Sequence, residues 1–247
     1  MFAPSLTVVV PAYNERENLP RVLDELLAFL RPACAKFEIL VVDDGSSDGS
    51  FDGAGDGAGA RDRGVLPAAP EVRLVRHEKN RGLTATLRTG FFGAAHEFVT
   101  WVPADGQIPA VELGKILDAW HGEDLILSTY RHRPDGLKRA VLSRGLRVLL
   151  WLATGFRDRL EGTYLFRRAL LDELHLVAER SAGSIGFEIG AKARAWGKRI
   201  GSTEIECAPR LSGSSKVVSA GNIAAYLVEI WNIRRSLRAH DPRRPGR

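Results

Sequence analysis

Acidic and amide side chains follow the ends of predicted strands at three places in the sequence. They lie in the segments 10–15 (VPAYNE), 43–48 (DDGSSD) and 102–107 (VPADGQ), each of which follows an apolar run. Because open α/β sheets bind ligands in the crevice at the carboxyl ends of their strands, we expect these segments to converge on one site. Such oxygen ligands hold divalent metal ions beside substrate phosphates, so the set suits a nucleotide diphosphate bound through a metal.

The elements that must position these segments alternate between strands and helices. Strands are predicted at 6–10, 37–42, 72–76, 98–102 and 125–129, and helices at 16–30, 83–95 and 111–120. This alternation predicts an α/β fold with a doubly wound, mostly parallel sheet and helices on both faces. Beyond these elements, helices are predicted at 138–154, 187–196 and 222–237, and strands at 162–166 and 200–207.

The composition allows one sizeable core, since 45% of the 247 residues are hydrophobic. We divide the chain into a main domain at 1–216 and a C-terminal region at 217–247, with an amphipathic helix and a basic tail expected to be disordered. The net charge is +5, with much of the excess in C-terminal arginines. These arginines are either a solvated tail or an attraction for anionic lipid. Few aromatic residues interleave with them, which argues against nucleic acid.

Two cysteines without a CxxC motif exclude a disulfide framework and a structural zinc site, and they favour the cytosol. The sequence runs directly into its first strand, which leaves no room for a signal peptide. No apolar stretch approaches the ~20 residues that a membrane-spanning helix requires. We therefore expect a protein that is soluble or peripheral at a membrane.

Several sequence blocks in matching order resemble family-2 glycosyltransferases of the GT-A fold. They are 6–15 (LTVVVPAYNE), 37–50 (FEILVVDDGSSDGS) and 80–90 (NRGLTATLRTG). The likeness runs from about residue 6 to residue 216 and is nearest to the polyprenyl-phosphate sugar synthases of the dolichol-phosphate-mannose synthase type. It implies inverting transfer of one hexose from GDP-mannose or UDP-glucose to a polyprenyl phosphate. It also implies Mg²⁺ or Mn²⁺ as cofactor and a cytoplasmic, peripheral location at the inner membrane face.

The resemblance assigns donor binding to residues at the strand ends. They are Pro11, Ala12, Tyr13, Glu15, Asp43, Asp44 and Asp105. An aromatic ring offers a stacking face, and a carboxylate accepts hydrogen bonds from a base or ribose. Turn and helix-capping roles are the alternative for Tyr13 and Glu15, and for Asp44 a structural role is equally open.

The predicted metal site departs from the family pattern. Relatives generally carry Asp-x-Asp where this chain has Pro103-Ala104-Asp105. The resemblance implies Asp105 and Gln107 as the metal ligands, completed by diphosphate oxygens and water. Loss of the first carboxylate predicts weaker metal affinity or an altered metal preference.

Acceptor binding and catalysis are likewise implied by the resemblance. The acceptor and phosphate ligands are Arg131, Arg139, Ser143, Arg210 and Lys216, and the catalytic residues are Asp105, Glu188, Arg210 and Lys216. Glu188 matches a position that acts as base in many inverting relatives. A polyprenyl phosphate is largely anionic at pH 7 and needs no base, so a positioning role for Glu188 is also open. Glu161 stands where relatives carry serine.

Two other functions remain as alternatives. The same fold could glycosylate a soluble hydroxyl acceptor, or the protein could bind nucleotide sugars without catalysis, as the proline at position 103 would allow. The processive-synthase signature Gln-x-x-Arg-Trp is absent, which favours the transfer of a single sugar.

Overall fold

The computed structural model describes residues 2–52, 64–131, 137–179, 184–208 and 220–239, without the side chains of 137–143, 146 and 220–225. The strands are β1 (Leu6–Ala12), β2 (Phe37–Asp43), β3 (Val72–Arg76), β4 (Phe98–Trp101), β5 (Leu125–Tyr130), β6 (Tyr164–Arg167) and β7 (Ile200–Ile205). The helices are α1 (Leu19–Ala33), α2 (Leu83–Gly93), α3 (Ala110–Asp118), α4 (Leu137–Thr154), α5 (Ala169–Leu174), α6 (Ser184–Ala195) and α7 (Ala220–Ala239).

The strands of the described chain form one sheet in the order β3-β2-β1-β4-β6-β5-β7. β1 pairs in parallel with β2 and β4, β2 with β3, and β5 with β7. The predicted mostly parallel sheet is therefore confirmed. β6 is the exception, because it runs antiparallel to both β4 and β5. Its apolar sequence carries no information on direction.

Both faces of the sheet are covered, as the near-continuous apolar strands require. Side chains alternate along β1, so Val8 and Val10 lie in the core beneath α1 and α3, whereas Val9 lies in the core beneath α2 and α6. α2 approaches β1 closely at Gly90, where an added Cβ would lie 2.3 Å from Val9 Cγ1. This contact explains why a glycine ends the segment 80–90 that carries the family resemblance.

Several predicted bounds differ from the structure, as where the helix predicted at 187–196 begins at Ser184. Two differences have a plain physical reason. The first helix begins at Leu19 rather than residue 16, because the chain first makes a turn in which Asn18 N donates to Glu15 O at 3.1 Å. A proline in the first turn of α1 then suits the helix start. The short helix α5 was not predicted, since six residues give too little periodicity to recognise.

The predicted C-terminal helix is present as α7, which packs against α4 and α6. Its residues Ile230 and Ile233 are buried. Seven large apolar side chains of α4 and α7 are exposed, and we call them the α4–α7 surface. They are Val148, Leu149, Trp151, Leu152, Leu227, Val228 and Trp231. Among the described helices, none has the length and apolar character to cross a membrane. The boundary at 216/217 stays a prediction, and the basic tail lies outside the described residues.

Candidate active site

The ends of β1, β2 and β4 lie side by side at one edge of the sheet. Ala12 pairs with Asp43 in the register of β1 and β2, and Asp44 N donates to Ala12 O at 2.8 Å. On the other side of β1, Val102 N donates to Val9 O at 2.9 Å. The structure thus brings together the three segments that carry the predicted donor and metal ligands.

The loops after β1 and β2 are bound to each other by side chains. Asn14 N donates to Ser46 Oγ at 2.9 Å, and Ser47 N donates to Asn14 Oδ1 at 2.8 Å. Asn14 adopts the left-handed conformation with φ 56°, which asparagine tolerates better than most residues. Tyr13 is half-buried beside this loop, whereas Pro11 and Ala12 are buried within β1. The two loops therefore form one frame, and Tyr13 precedes Asn14 of this frame in the sequence.

Glu15 and Asp43 each have contacts within the protein that hold the frame. Glu15 Oε2 accepts a hydrogen bond from Asn18 Nδ2 at 2.7 Å, next to the start of α1. Asp43 is fully buried, and its two oxygens accept from Ser46 N at 2.9 Å and Arg76 Nε at 3.1 Å. Donor binding by these two residues stays a prediction. The contacts show that both residues also have a structural role.

Asp44 holds the beginning of α2 in place. Its carboxylate accepts hydrogen bonds from Arg81 N at 2.9 Å and Gly82 N at 2.8 Å, and it contacts His77 Nδ1 at 2.8 Å. The other ring nitrogen of His77 lies 2.9 Å from Thr89 Oγ1. Sequence reasoning assigned nothing to His77, because no spacing signal connects residues 33 positions apart.

We expect Asp44→Asn to lower the free energy of unfolding by about 2–3 kcal/mol, since an amide nitrogen cannot accept the hydrogen bond from a backbone N–H. The measurement is urea unfolding followed by circular dichroism. Asp24→Asn is the control, because Asp24 lies exposed on α1. Equal midpoints for the two variants would contradict the structural role of Asp44.

Asp105 and Gln107 lie on a half-exposed turn after β4. Asp105 Oδ1 accepts from Gln107 N at 3.1 Å, and Gly106 between them has φ 73°, which favours glycine. Gln107 O also accepts from Ala208 N at 2.9 Å, so the chain after β7 reaches this turn. Cys207 lies there as well, with Sγ 4.0 Å from Gln107 Nε2.

The donor atoms of this turn suit a hard cation. A carboxylate and an amide oxygen are ligands that Mg²⁺ accepts when substrate phosphates and water complete its shell. Among the described residues, no group of three or more His, Cys, Asp or Glu side chains is placed to hold a metal ion. The residues present therefore fit a metal that depends on the substrate's own oxygens.

The predicted acceptor ligands are described only in part. Arg131 is exposed directly after β5, and its backbone N donates to Ile205 O at 3.0 Å. Positions 139 and 143 lie in α4, but their side chains are outside the description. Arg210 and Lys216 lie outside the described residues altogether.

Glu161, the residue that replaces the family serine, joins α4 to the end of β5. Its carboxylate accepts from Arg147 Nη1 at 2.7 Å, Arg159 Nη2 at 3.1 Å and Tyr130 N at 3.4 Å. Burial raises the pKa of Glu161, but the hydrogen bond and charge of Arg159, the Tyr130 amide and the charge of Arg147 together hold it below its usual value. Glu161 thus fixes the chain immediately before Arg131.

The depressed pKa of Glu161 predicts a pH-dependent contribution to stability. The ionised group stabilises the fold above the unfolded pKa of about 4.3, and the contribution is lost as pH falls through the lower folded-state value. The difference in unfolding free energy between the natural protein and Glu161→Gln should be constant near neutral pH and shrink below about pH 4. Urea titrations across that range measure it, and a difference that grows on acidification would contradict the ion pairs.

Glu188 is fully buried in α6. Its oxygens accept from Val177 N and Ala178 N, both at 2.7 Å, and Lys192 Nζ lies 2.6 Å from Oε1. Catalysis by Glu188 stays a prediction, and these contacts favour a structural role. Lys192 was missed, although the i,i+4 spacing on a predicted helix is the signal that could have found it.

Comparison with known proteins agrees with this architecture. Residues 7–175 match the family model described as Glycosyl transferase family 2. A glucosyl-3-phosphoglycerate synthase from Mycobacterium tuberculosis, solved with Mg²⁺ and uridine diphosphate, superposes with a TM-score of 0.65 at 19% identity, over 92% of this chain and 79% of that one. At this identity the likeness shows a shared fold, and it confirms the predicted GT-A fold.

Three curated relatives are similar in sequence. Polyprenol monophosphomannose synthase of Mycolicibacterium smegmatis is 32% identical over 92% of this chain and 86% of its own length. Undecaprenyl-phosphate 4-deoxy-4-formamido-L-arabinose transferase of Proteus mirabilis is 29% identical over 85% of this chain, which spans 62% of that relative. Dolichyl-phosphate beta-glucosyltransferase of Drosophila melanogaster is 30% identical over 68% of this chain and 56% of its own length. The chain therefore belongs to glycosyl transferase family 2.

Proposed function

We propose that this glycosyltransferase moves one hexose, with inversion, from a nucleotide diphosphate sugar to a polyprenyl phosphate. The observation that carries the proposal is its similarity to relatives whose names specify polyprenol, undecaprenyl-phosphate or dolichyl-phosphate substrates, one of them across 92% of this chain. The strand-end site supports it, because an acidic turn at a sheet edge suits a metal-bound diphosphate.

In this proposal, the residues at the strand ends have different roles in donor binding. Tyr13 offers its ring to the base, and Asp44 fixes the start of α2 through the Arg81 and Gly82 amides. Asp105 and Gln107 would hold Mg²⁺ or Mn²⁺, as the metal in the related synthase structure supports. When bound, the metal neutralises charge on the leaving diphosphate.

Positively charged residues would bind the acceptor. Arg131 at the end of β5, with Arg139, Ser143, Arg210 and Lys216 by resemblance, would hold the acceptor phosphate through charge-assisted hydrogen bonds. An anionic phosphate attacks the anomeric carbon without losing a proton, so no base is required. The Glu161 contacts with Arg147 and Tyr130 keep this side of the site in position.

The α4–α7 surface supports an enzyme that works at a membrane. Its apolar side chains are exposed on two helices that pack together, and Arg157 lies over the Trp151 ring at 5.1 Å. Exposed apolar residues beside cationic ones suit the interface of an anionic bilayer. We place the enzyme at the inner, cytoplasmic face of the membrane.

The membrane proposal predicts that Val228→Asp lowers binding to vesicles containing phosphatidylglycerol by about tenfold or more, because binding scales with buried apolar area. Val111→Asp is a matched control, since Val111 on α3 is 62% exposed and Val228 is 60% exposed. Co-sedimentation measures binding. Equal loss in both variants would show a general effect of the added charge, and unchanged binding of Val228→Asp would place the membrane contact elsewhere.

Donor turnover with membrane lipid extract tests the reaction. Purified protein receives a panel of radiolabelled nucleotide sugars with Mg²⁺ or Mn²⁺, with and without EDTA. Label passing into an acid-labile, organic-soluble product, and abolished by EDTA, would support the proposal and identify the donor. If the label stayed in the aqueous phase with every donor, although the protein binds nucleotide, the proposal of a lipid acceptor would be overturned.

A further inference from the structure

A cavity of about 530 Å³ lies along one face of α2. Its lining residues in the described chain are Arg81, Ala85, Arg88, Thr89, Phe92 and Glu179. Ala85, Arg88, Thr89 and Phe92 lie at helical spacing on α2, Arg81 lies just before the helix, and Glu179 comes from the segment that follows α5. The volume falls within the ~300–1,000 Å³ of small-molecule sites.

Positive charge is in excess among the described lining residues of this α2 cavity, where two guanidinium groups accompany one carboxylate. The Arg81 side chain is exposed and forms no hydrogen bond or ion pair with the described residues. Arg88 is held in place, since Nη1 donates to Leu176 O at 3.0 Å and the guanidinium lies over the Phe92 ring at 5.0 Å. Arg88 is therefore preorganised, and Arg81 has no side-chain partner among the residues that the structure describes.

Arg88 also acts on a buried ion pair. The Lys192 ammonium lies 2.6 Å from the Glu188 carboxylate, so these two charges offset each other. Burial lowers the pKa of Lys192, the charge and hydrogen bond of Glu188 oppose this effect, and the charge of Arg88 lowers the pKa further. The positive charge at the cavity therefore comes from Arg81 and Arg88 and not from Lys192.

We propose that the α2 cavity binds a phosphomonoester dianion. Guanidinium groups match phosphate oxygens in pairs of parallel hydrogen bonds. Arg81, just before α2, and Arg88, within it, both line the cavity. Phe92 is 44% exposed and offers an apolar surface to the organic part of the ligand. The site is additional to the donor and acceptor sites proposed above and does not depend on them.

A chain of contacts connects the cavity to the strand-end site. Thr89 lines the cavity and lies 2.9 Å from His77 Nε2, while His77 Nδ1 lies 2.8 Å from Asp44. Arg81 provides a second connection, because it lines the cavity and its backbone N donates to Asp44 Oδ1 at 2.9 Å. A phosphate held by Arg81 is therefore coupled to the segment that begins α2.

Residue-resolved amide NMR with inorganic phosphate as the probe tests the proposal. The amide resonances of Ala85 and Thr89 should move with phosphate, and Arg81→Gln should weaken the apparent affinity by about tenfold or more. Arg21→Gln is the control, because Arg21 is an exposed arginine of α1 and should bind phosphate as the natural protein does. An unchanged melting temperature verifies that Arg81→Gln is folded.

A second arm distinguishes a phosphorylated metabolite from a lipid headgroup. Phosphatidylcholine vesicles with phosphatidic acid are added in place of phosphate, and plain phosphatidylcholine vesicles serve as the blank. Movement of the Ala85 and Thr89 resonances with both probes supports a headgroup, and movement with phosphate alone supports a soluble ligand. Shifts confined to the Asp105 and Gly106 amides, or equal shifts in Arg81→Gln, would overturn the proposal.

Discussion

Replacing Asp105 with asparagine should lower kcat/KM for sugar transfer by about a hundredfold to a thousandfold, while the protein stays folded. Asp105 is the single carboxylate in the turn 103–107, because a proline stands at the first position of the usual Asp-x-Asp. No described group of three or more acidic, His or Cys side chains is placed to substitute for it. If Asp105 holds the metal as proposed, loss of its charge would remove the main protein ligand for a divalent ion.

The measurement is transfer to polyprenyl phosphate over a range of Mg²⁺ and Mn²⁺ concentrations. Asp118→Asn is the control, since Asp118 lies exposed at the end of α3. A metal-binding role predicts that Asp105→Asn needs a higher metal concentration as well as turning over more slowly. Activity within about twofold of the natural protein would exclude Asp105 from the site and would favour a metal-independent reaction.

Lys192→Met should lower the free energy of unfolding by about 3–5 kcal/mol, the largest stability effect we expect in this protein. Both members of the Lys192–Glu188 pair are fully buried, and Lys192 Nζ also donates to His175 O at 2.6 Å and Ser236 Oγ at 2.8 Å. Removing the ammonium leaves the Glu188 carboxylate charged and buried with two backbone amides alone. The ammonium also connects α6 to α7, so the C-terminal helix should loosen.

Urea unfolding measures the free energy that Lys192→Met loses, and Arg21→Met is the variant with which this loss is compared. Arg21 forms an i,i+4 pair with Glu25 on the exposed face of α1, and such a pair contributes about 0.3–0.5 kcal/mol. If the two variants lost similar amounts, the buried pair would contribute no more than a surface pair. A restored midpoint in the double variant Lys192→Met/Glu188→Leu would show that the cost comes from the unpaired charge.

Glu188→Gln then separates the two enzyme hypotheses. A structural Glu188 predicts a lower unfolding midpoint with activity retained by the folded fraction, because an anionic acceptor needs no base. A soluble hydroxyl acceptor predicts nearly complete loss of activity even in the folded fraction, because the acceptor proton then needs a base. In the first case, Arg139→Gln and Arg210→Gln should affect activity more strongly than Glu188→Gln.

Local sequence patterns were enough to predict the frame of the site. Apolar runs such as 6–12 and 37–43 are buried strands of the sheet, and the leucines of α1 face the core as their helical spacing indicated. The order of strands and helices predicted the mostly parallel sheet, and therefore which loops meet at its carboxyl edge. The direction of β6 was beyond such reasoning, because a four-residue apolar run is equally compatible with either direction.

The partners of the charged residues required the tertiary structure. From the sequence, Asp44 was equally acceptable as a substrate ligand or a turn residue. Only the fold shows that His77 and the Arg81 and Gly82 amides surround its carboxylate. In the sequence, Glu161 was recognised only as a departure from the family pattern. In the fold it forms ion pairs with Arg147 and Arg159. Periodicity reports which face of an element is apolar, but it carries no information on which distant polar groups meet there.

The sequence by itself determined the fold class, the family and the segments that form the site, because burial patterns and local motifs are properties of neighbouring residues. Only the tertiary structure decided which carboxylates are bound within the protein and which remain near solvent. Asp43, Asp44 and Glu188 are buried and hydrogen-bonded, whereas Asp105 is half-exposed. The physical reason is that a carboxylate's role depends on the groups packed around it, and chain folding brings those groups together from positions far apart in sequence.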